Sequence, residues 1–185
     1  MRLSLFLIMN KRNLSFVILT VLILGSVWIW LNRVTETQAS VERPAIPVPG
    51  HPAPDFALQT LDGQTLQLSD LQGQAVVFNF WASWCPPCRA EMLELEQAYQ
   101  EHQDNGLVVL GVNQGEQQAV ADDFMQQFEL TFPVVLDQEL IASRNYKVNS
   151  LPTTFFIDRN GIIRDQVTGQ MNTALLNEKI RSIFP

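Results

Sequence analysis

Cys85 and Cys88 are the only cysteines in the chain, and two residues separate them. One pair cannot build a framework of structural disulfides, so these two sulfurs act together. They stand in Trp81-Ala82-Ser83-Trp84-Cys85-Pro86-Pro87-Cys88, directly after the β-branched and aromatic run AVVFNF at Ala75–Phe80. A strand that leads into a helix opening on Cys-x-x-Cys puts Cys85 beside the helix N-terminus. Unpaired amides and the dipole there favour an anion, hence thiolate over thiol. Pro86 and Pro87 suit the first helical turn, where a missing N–H loses no intrahelical bond. They leave the Cys88 amide as the nearest backbone donor to the Cys85 sulfur. The expected roles are an exposed, attacking Cys85 and a buried, resolving Cys88.

Thiolate formation alone is a modest advantage. Lowering a thiol pKa from about 8.5 to about 7 raises the thiolate fraction at pH 7 roughly sixteenfold, and weaker intrinsic nucleophilicity takes back roughly fivefold. A second thiol within reach matters more, because it makes release of a mixed disulfide an intramolecular step.

The elements that must position this pair follow from periodicity. Phe56–Leu61 and Thr65–Leu68 flank Asp62-Gly63, a hairpin signal. After Cys85, the apolar residues Met92, Leu95 and Tyr99 recur at helical spacing until Gly106, and Leu107–Val112 reads as a second buried strand. Val120, Phe124, Met125 and Phe128 predict a helix, and Phe132–Leu136 a strand. Thr153–Ile157 and Ile162–Val167 flank a second hairpin turn at Arg159-Asn160-Gly161, and Asn172–Phe184 closes the chain as an amphipathic helix. Strands alternating with helices predict an α/β domain with a mixed central sheet flanked by helices.

The whole chain has 185 residues with 12 Lys and Arg against 19 Asp and Glu. Leu14–Leu31 is eighteen residues without a charge, about 27 Å as a helix and close to the ~30 Å hydrocarbon core. Arg2, Lys11 and Arg12 precede it, so the basic bias predicts a cytoplasmic segment 1–13, a transmembrane signal-anchor 14–31 and an extracytoplasmic remainder. Met9 begins MNKRN and the apolar run, which together would also make a complete signal-anchor. A cleaved secretory signal ending at Thr37-Gln38-Ala39 is the competing reading, but the apolar stretch exceeds the 7–15 residues usual for one. Residues 32–54 hold Pro44, Pro47, Pro49, Pro52 and Pro54 and read as a stiff tether before a domain over 55–185. That domain carries seven basic residues against seventeen acidic ones, a net −10. So acidic a surface disfavours nucleic acid and anionic lipid as partners. His51 and His102 are far apart and suggest solvated surface rather than a metal pair, and Glu94, Glu96 and Glu101 read as the wet face of a helix.

FNFWASWCPPCRAE, followed far downstream by SLPTTFFID, resembles the thioredoxin-like superfamily, and with the anchor and a central helix–strand insertion it resembles the TlpA/ResA-type branch. The resemblance covers roughly Pro54–Pro185. It implies a thioredoxin-like fold with an N-terminal hairpin and a central insertion, and a membrane-tethered, extracytoplasmic thiol–disulfide oxidoreductase whose redox-active disulfide joins Cys85 and Cys88. It implies that Leu151-Pro152-Thr153 is a cis-proline loop that faces the dithiol and binds substrate backbone, and that Trp84 shields the thiol and contacts partners. Packing in an aromatic core is the other account of Trp84, and packing is the main account of Trp81. Thioredoxins carry a buried aspartate where this chain has Asn79, which cannot titrate. Glu91 matches the glutamate of the ResA-like motif: buried near the thiols it would have a raised pKa and move protons, whereas as an early-turn glutamate it would only complement the helix dipole.

The expected function is reduction of client disulfides, with apocytochrome c maturation as a candidate, no cofactor, and a membrane electron-transfer protein to recharge the dithiol. Two alternatives remain. Pro52–Leu58 (PAPDFAL) is shared with peroxiredoxins, which have Thr or Ser three residues before the peroxidatic cysteine, where this chain has Ala82. A Cu(I)-binding or delivery module would use the same two thiolates, whereas structural zinc would need two further ligands.

Overall fold

The computed structural model describes residues 11–31 and 44–184, which fall into an N-terminal unit and a C-terminal unit divided near residue 42. In the first, α1 spans Lys11–Leu31. Its side chains are described continuously only from Phe16 to Trp30, and all of these are exposed. Among the described residues, no helix is long and apolar enough to cross a membrane. The hydroxyls of Thr20 and Ser26 donate back to the carbonyls of Phe16, Val17, Leu22 and Ile23, so neither needs an outside partner. The expected cytoplasmic segment lies outside the described residues over 1–10, and the expected tether does so over 32–43.

In chain order the second unit forms β1 (Ala57–Thr60), β2 (Thr65–Gln67), β3 (Ala75–Trp81), α2 (Pro86–His102), β4 (Leu107–Gln114), α3 (Gln118–Gln127), β5 (Val134–Asp137), α4 (Ile141–Asn145), β6 (Thr153–Ile157), β7 (Ile163–Thr168) and α5 (Thr173–Ile183). The strands make one seven-stranded sheet in the order β2-β1-β5-β4-β3-β6-β7. β3, β4 and β5 are mutually parallel, while β1, β6 and β7 join by antiparallel pairing. The sheet is therefore mixed, as the alternation of elements predicted.

All seven residues of β3 are buried, as a strand covered on both faces requires. Alternation along it separates two cores. Val77 and Trp81 join Met92, Leu95, Phe124, Leu176 and Ile180 on the face covered by α2, α3 and α5. Val76, Phe78 and Phe80 join Phe56, Tyr146 and Phe155 on the other. There Phe78 lies edge-on to Tyr146 at 4.8 Å and stacks on Phe155 at 5.2 Å. Parity puts Asn79 on the α2 face, between Val77 and Trp81.

Three boundaries differ from expectation. The strand predicted at Phe132–Leu136 forms two residues later, because Pro133 lacks an N–H for the ladder at its start. α4 was not anticipated. Its five residues are too few to show a period, and it is held by buried Asp137, which accepts from the Ala142 and Ser143 amides and the Ser143 hydroxyl. The domain also begins upstream of Asp55. Gly50 N donates to Ile163 O (2.8 Å), Ile163 N to His51 O (2.9 Å) and Ala53 N to Gly161 O (2.9 Å), with Pro52 bridging to Ile162. The proline-rich stretch keeps enough free amides between its prolines to line the edge of β7.

Candidate active site

β3 ends at Trp81 and α2 begins at Pro86, and Cys85 is the N-cap between them. Both prolines occupy the first helical turn, so the first amide available is that of Cys88, which donates to the Cys85 sulfur at 3.3 Å. The two sulfurs are joined, with S–S 2.00 Å and Cα–Cα 5.3 Å. In this oxidised form Cys85 is 3% exposed and Cys88 1%. Burial of Cys88 agrees with its expected role, whereas Cys85 is not exposed as anticipated. Joined to Cys88, it lies in the apolar cluster of Trp81, Met92 and Phe124. Trp84, next in sequence, is 68% exposed and not part of the core, while Trp81 is fully buried against Phe124 at 4.9 Å.

The inward stripe of α2 runs Cys88, Glu91, Met92, Leu95 and Ala98, at helical spacing. Glu91 thus lies on the core side, one turn below Cys88, with no exposure. Its Oε2 accepts from Asn79 Nδ2 at 2.9 Å and its Oε1 from the Met171 amide at 2.8 Å. Burial raises its pKa to about 7, against the opposing pull of those two donors. A carboxyl so poised exchanges its proton near neutral pH. Glu91 is buried and lies beyond the first turn of α2, which holds no acid, so the helix-dipole account does not describe it.

The Leu151–Pro152 peptide is cis. Thr153, the first residue of β6, pairs with Phe80 near the end of β3, so this loop lies at the same end of the sheet as the sulfurs. Leu151 packs against the cluster that contains both cysteines. Pro152 O accepts from the Gly169 amide, and the Thr153 hydroxyl donates to Ser150 O.

Sequence reasoning missed Glu116, which follows β4. Its carboxylate accepts from Ser83 N (2.8 Å), from the Ser83 hydroxyl (2.5 Å) and from Asn113 Nδ2 (2.7 Å). It pins the segment that carries Trp84 and Cys85. No local signal could reveal a contact across 33 residues, although the parallel pairing of Trp81 with Asn113 places the two segments side by side. Glu96 also does more than face water: it accepts from the Thr131 and Phe132 amides and the Thr131 hydroxyl, which hold its pKa below the usual carboxylate range against partial burial. His51 lies at the β7 edge and His102 ends α2, away from the sulfurs. A groove of about 530 Å³ lined by Leu61, Asp62, Met125 and Phe132 lies elsewhere and includes neither cysteine, Glu91, Trp84 nor Leu151-Pro152-Thr153.

The fold recurs in solved structures. A protein of Chlorobium tepidum assigned as thiol:disulfide interchange protein DsbE superposes with a TM-score of 0.71 at 34% identity, covering 75% of this chain and 99% of that one. Sheet, disulfide and likeness together define a thioredoxin-like thiol–disulfide oxidoreductase. The chain belongs to the AhpC/TSA family, whose model matches residues 49–166. Among curated relatives it is similar to the thiol-disulfide oxidoreductase ResA of Geobacillus thermodenitrificans, 40% identical over 144 residues, or 78% of this chain and 82% of the relative. It is likewise similar to ResA of Bacillus subtilis, 33% identical over 180 residues, or 96% of this chain and 97% of the relative.

Proposed function

We propose that this thiol–disulfide oxidoreductase is a membrane-tethered, extracytoplasmic reductant of client-protein disulfides. The observation that carries the proposal is Glu91, buried one turn below Cys88 and held by Asn79 and the Met171 amide, whose carboxyl can take the Cys88 proton in reduction and return it in the reverse reaction. A reductant must deprotonate its resolving thiol, and a buried carboxylate near neutral pKa supplies the base. In the dithiol form, the Cys85 thiolate attacks a client disulfide, forming a mixed disulfide and releasing one client thiolate. Cys88 passes its proton towards Glu91 and attacks the Cys85 sulfur. That closes the Cys85–Cys88 bond and frees the second client thiolate. The client gains the two electrons that this chain loses, and its two thiolates are protonated by the proton left on Glu91 and by one from solvent. A membrane electron carrier returns both electrons, since the chain has no second cysteine pair.

Trp84, exposed and adjacent to Cys85 in sequence, and the Leu151-Pro152-Thr153 loop, at the same end of the sheet, are assigned to client binding. An apocytochrome c with an oxidised Cys-x-x-Cys-His pair is the client class favoured, because heme attachment needs both thiols free. The anchor is assigned to Leu14–Leu31, supported by its freedom from charge, the basic residues before it and the internally bonded Thr20 and Ser26. Cys88→Ser is expected to hold clients as mixed disulfides on Cys85, released by dithiothreitol and identifiable by mass. Adducts that form only on Cys88, in Cys85→Ser, would reverse the roles. Labelling of the dithiol from the cytoplasmic side would end the extracytoplasmic assignment.

A further inference from the structure

Asn79 is fully buried in the middle of β3, and its amide nitrogen donates both to Glu91 Oε2 at 2.9 Å and to Thr154 Oγ1 at 2.8 Å. Its carbonyl, Oδ1, is buried with no partner. An orphaned buried acceptor is costly, by about 1–3 kcal/mol, and it sits on the side chain that touches the carboxyl below Cys88. Thr154 is the direct cross-strand partner of Asn79, so the two share a face and its hydroxyl is fixed within reach.

The present orientation suits one state of Glu91 only. A carboxylate offers acceptors alone, and the amide meets it with N–H donors. When Oε2 carries a proton, an O–H faces an N–H, two donors opposed. Turning the amide by half a turn removes that opposition, because its two ends are nearly equal in size, at the cost of carrying the two N–H donors into the place where Oδ1 had no partner. Oδ1 then accepts from the Glu91 O–H and from the Thr154 hydroxyl, which can donate as readily as accept. Met171 N keeps its bond to Oε1 in both states. An aspartate at position 79 could not do this, since it would bring a second titrating carboxyl to the site.

We infer that Asn79 is a positioning residue whose side-chain amide turns with the protonation of Glu91, with Thr154 as the hydroxyl that answers either orientation. The inference rests on the proposed proton-holding role of Glu91 and says how that proton is accommodated in a site with no water-facing side. Among the described residues, no other titratable group intervenes. β3 and β6 bring no ionisable side chain to the spot, and Cys85 and Cys88 are silent while joined. Glu94, on α2, takes the Thr173 hydroxyl, and Lys179, on α5, is paired with Asp165 and Glu178.

The test is NMR of the oxidised full-length chain in detergent. The probes are ¹⁵N in Asn side chains and ¹³C at the Glu carboxyls, identified by loss of signal in Asn79→Asp and Glu91→Gln. On titration from pH 5 to pH 9, the Asn79 amide signals are expected to move with the same midpoint as the Glu91 carboxyl. Asn79→Leu, which removes the only side-chain donor to Glu91, is expected to raise that midpoint by about one pH unit or more. Asn79→Asp is expected to split the single step into two. Amide signals that stay still while Glu91 titrates, an unshifted midpoint in Asn79→Leu or a single step in Asn79→Asp would overturn the inference. The proton-holding role fails separately, if Glu91→Gln leaves the pH profile of Cys85 alkylation unchanged while the wild-type amide still responds.

Discussion

At the scale of single residues, the site is governed by what burial does to a carboxyl. The folded-state pKa of Glu91, about 7, lies above its ordinary 4.5. Between these values the folded chain holds more protons than the unfolded one, so stability falls as pH rises through that window. The full penalty, present above about pH 7 and absent below about pH 4.5, is on the order of 3 kcal/mol. Glu91→Gln removes the titrating group, so the difference in denaturant midpoint between wild type and variant is expected to change with pH from 5 to 8. A constant difference would mean that burial does not raise this carboxyl. Glu116 acts differently, by holding a backbone amide, a hydroxyl and a buried Asn. Glu116→Ala strands those donors and is expected to cost about 1–3 kcal/mol, read by urea unfolding. Ser83→Ala, which keeps the amide bond, should cost less.

At the scale of elements, close approach decides what the sheet tolerates. A Cβ on Gly111 would lie 2.8 Å from Trp81 Nε1 and about 3 Å from Val134 and Phe132 side-chain carbons. Gly111→Ala is therefore expected to destabilise by about 1–3 kcal/mol through overpacking, which calorimetry would register as a lowered Tm with the disulfide intact. The same locality explains how much could be read from the sequence. β3, β4, β6, β7, α2 and α5 declare themselves through alternation, apolar runs or a helical stripe. Whether Glu91 is buried or complements the helix dipole stayed open in the sequence, because the apolar stripe read there begins only at Met92. α4 and Glu116 stayed hidden, because a five-residue helix has no period and a carboxylate that reaches Ser83 leaves no local trace. The burial of Cys85 was equally illegible, since it rests on side chains distant in sequence, such as Phe124.

At the scale of the molecule, charge shapes encounter. A domain with net −10 attracts basic clients over a distance that salt shortens from about 30 Å at 0.01 M to about 10 Å at 0.1 M. The rate constant for a basic disulfide peptide is expected to fall several-fold across that range in stopped-flow fluorescence, and an acidic peptide should show the reverse. The attachment of Gly50–Ala53 to β7 adds a mechanical polarity. Ile163 pairs with Ile157, which pairs with Val76 at the start of β3, whereas the sulfurs follow the last residue of that strand. Pull exerted through the upstream polypeptide is thus delivered to the opposite pole of the sheet. The redox end is thereby kept apart from the point at which Gly50–Ala53 join the sheet.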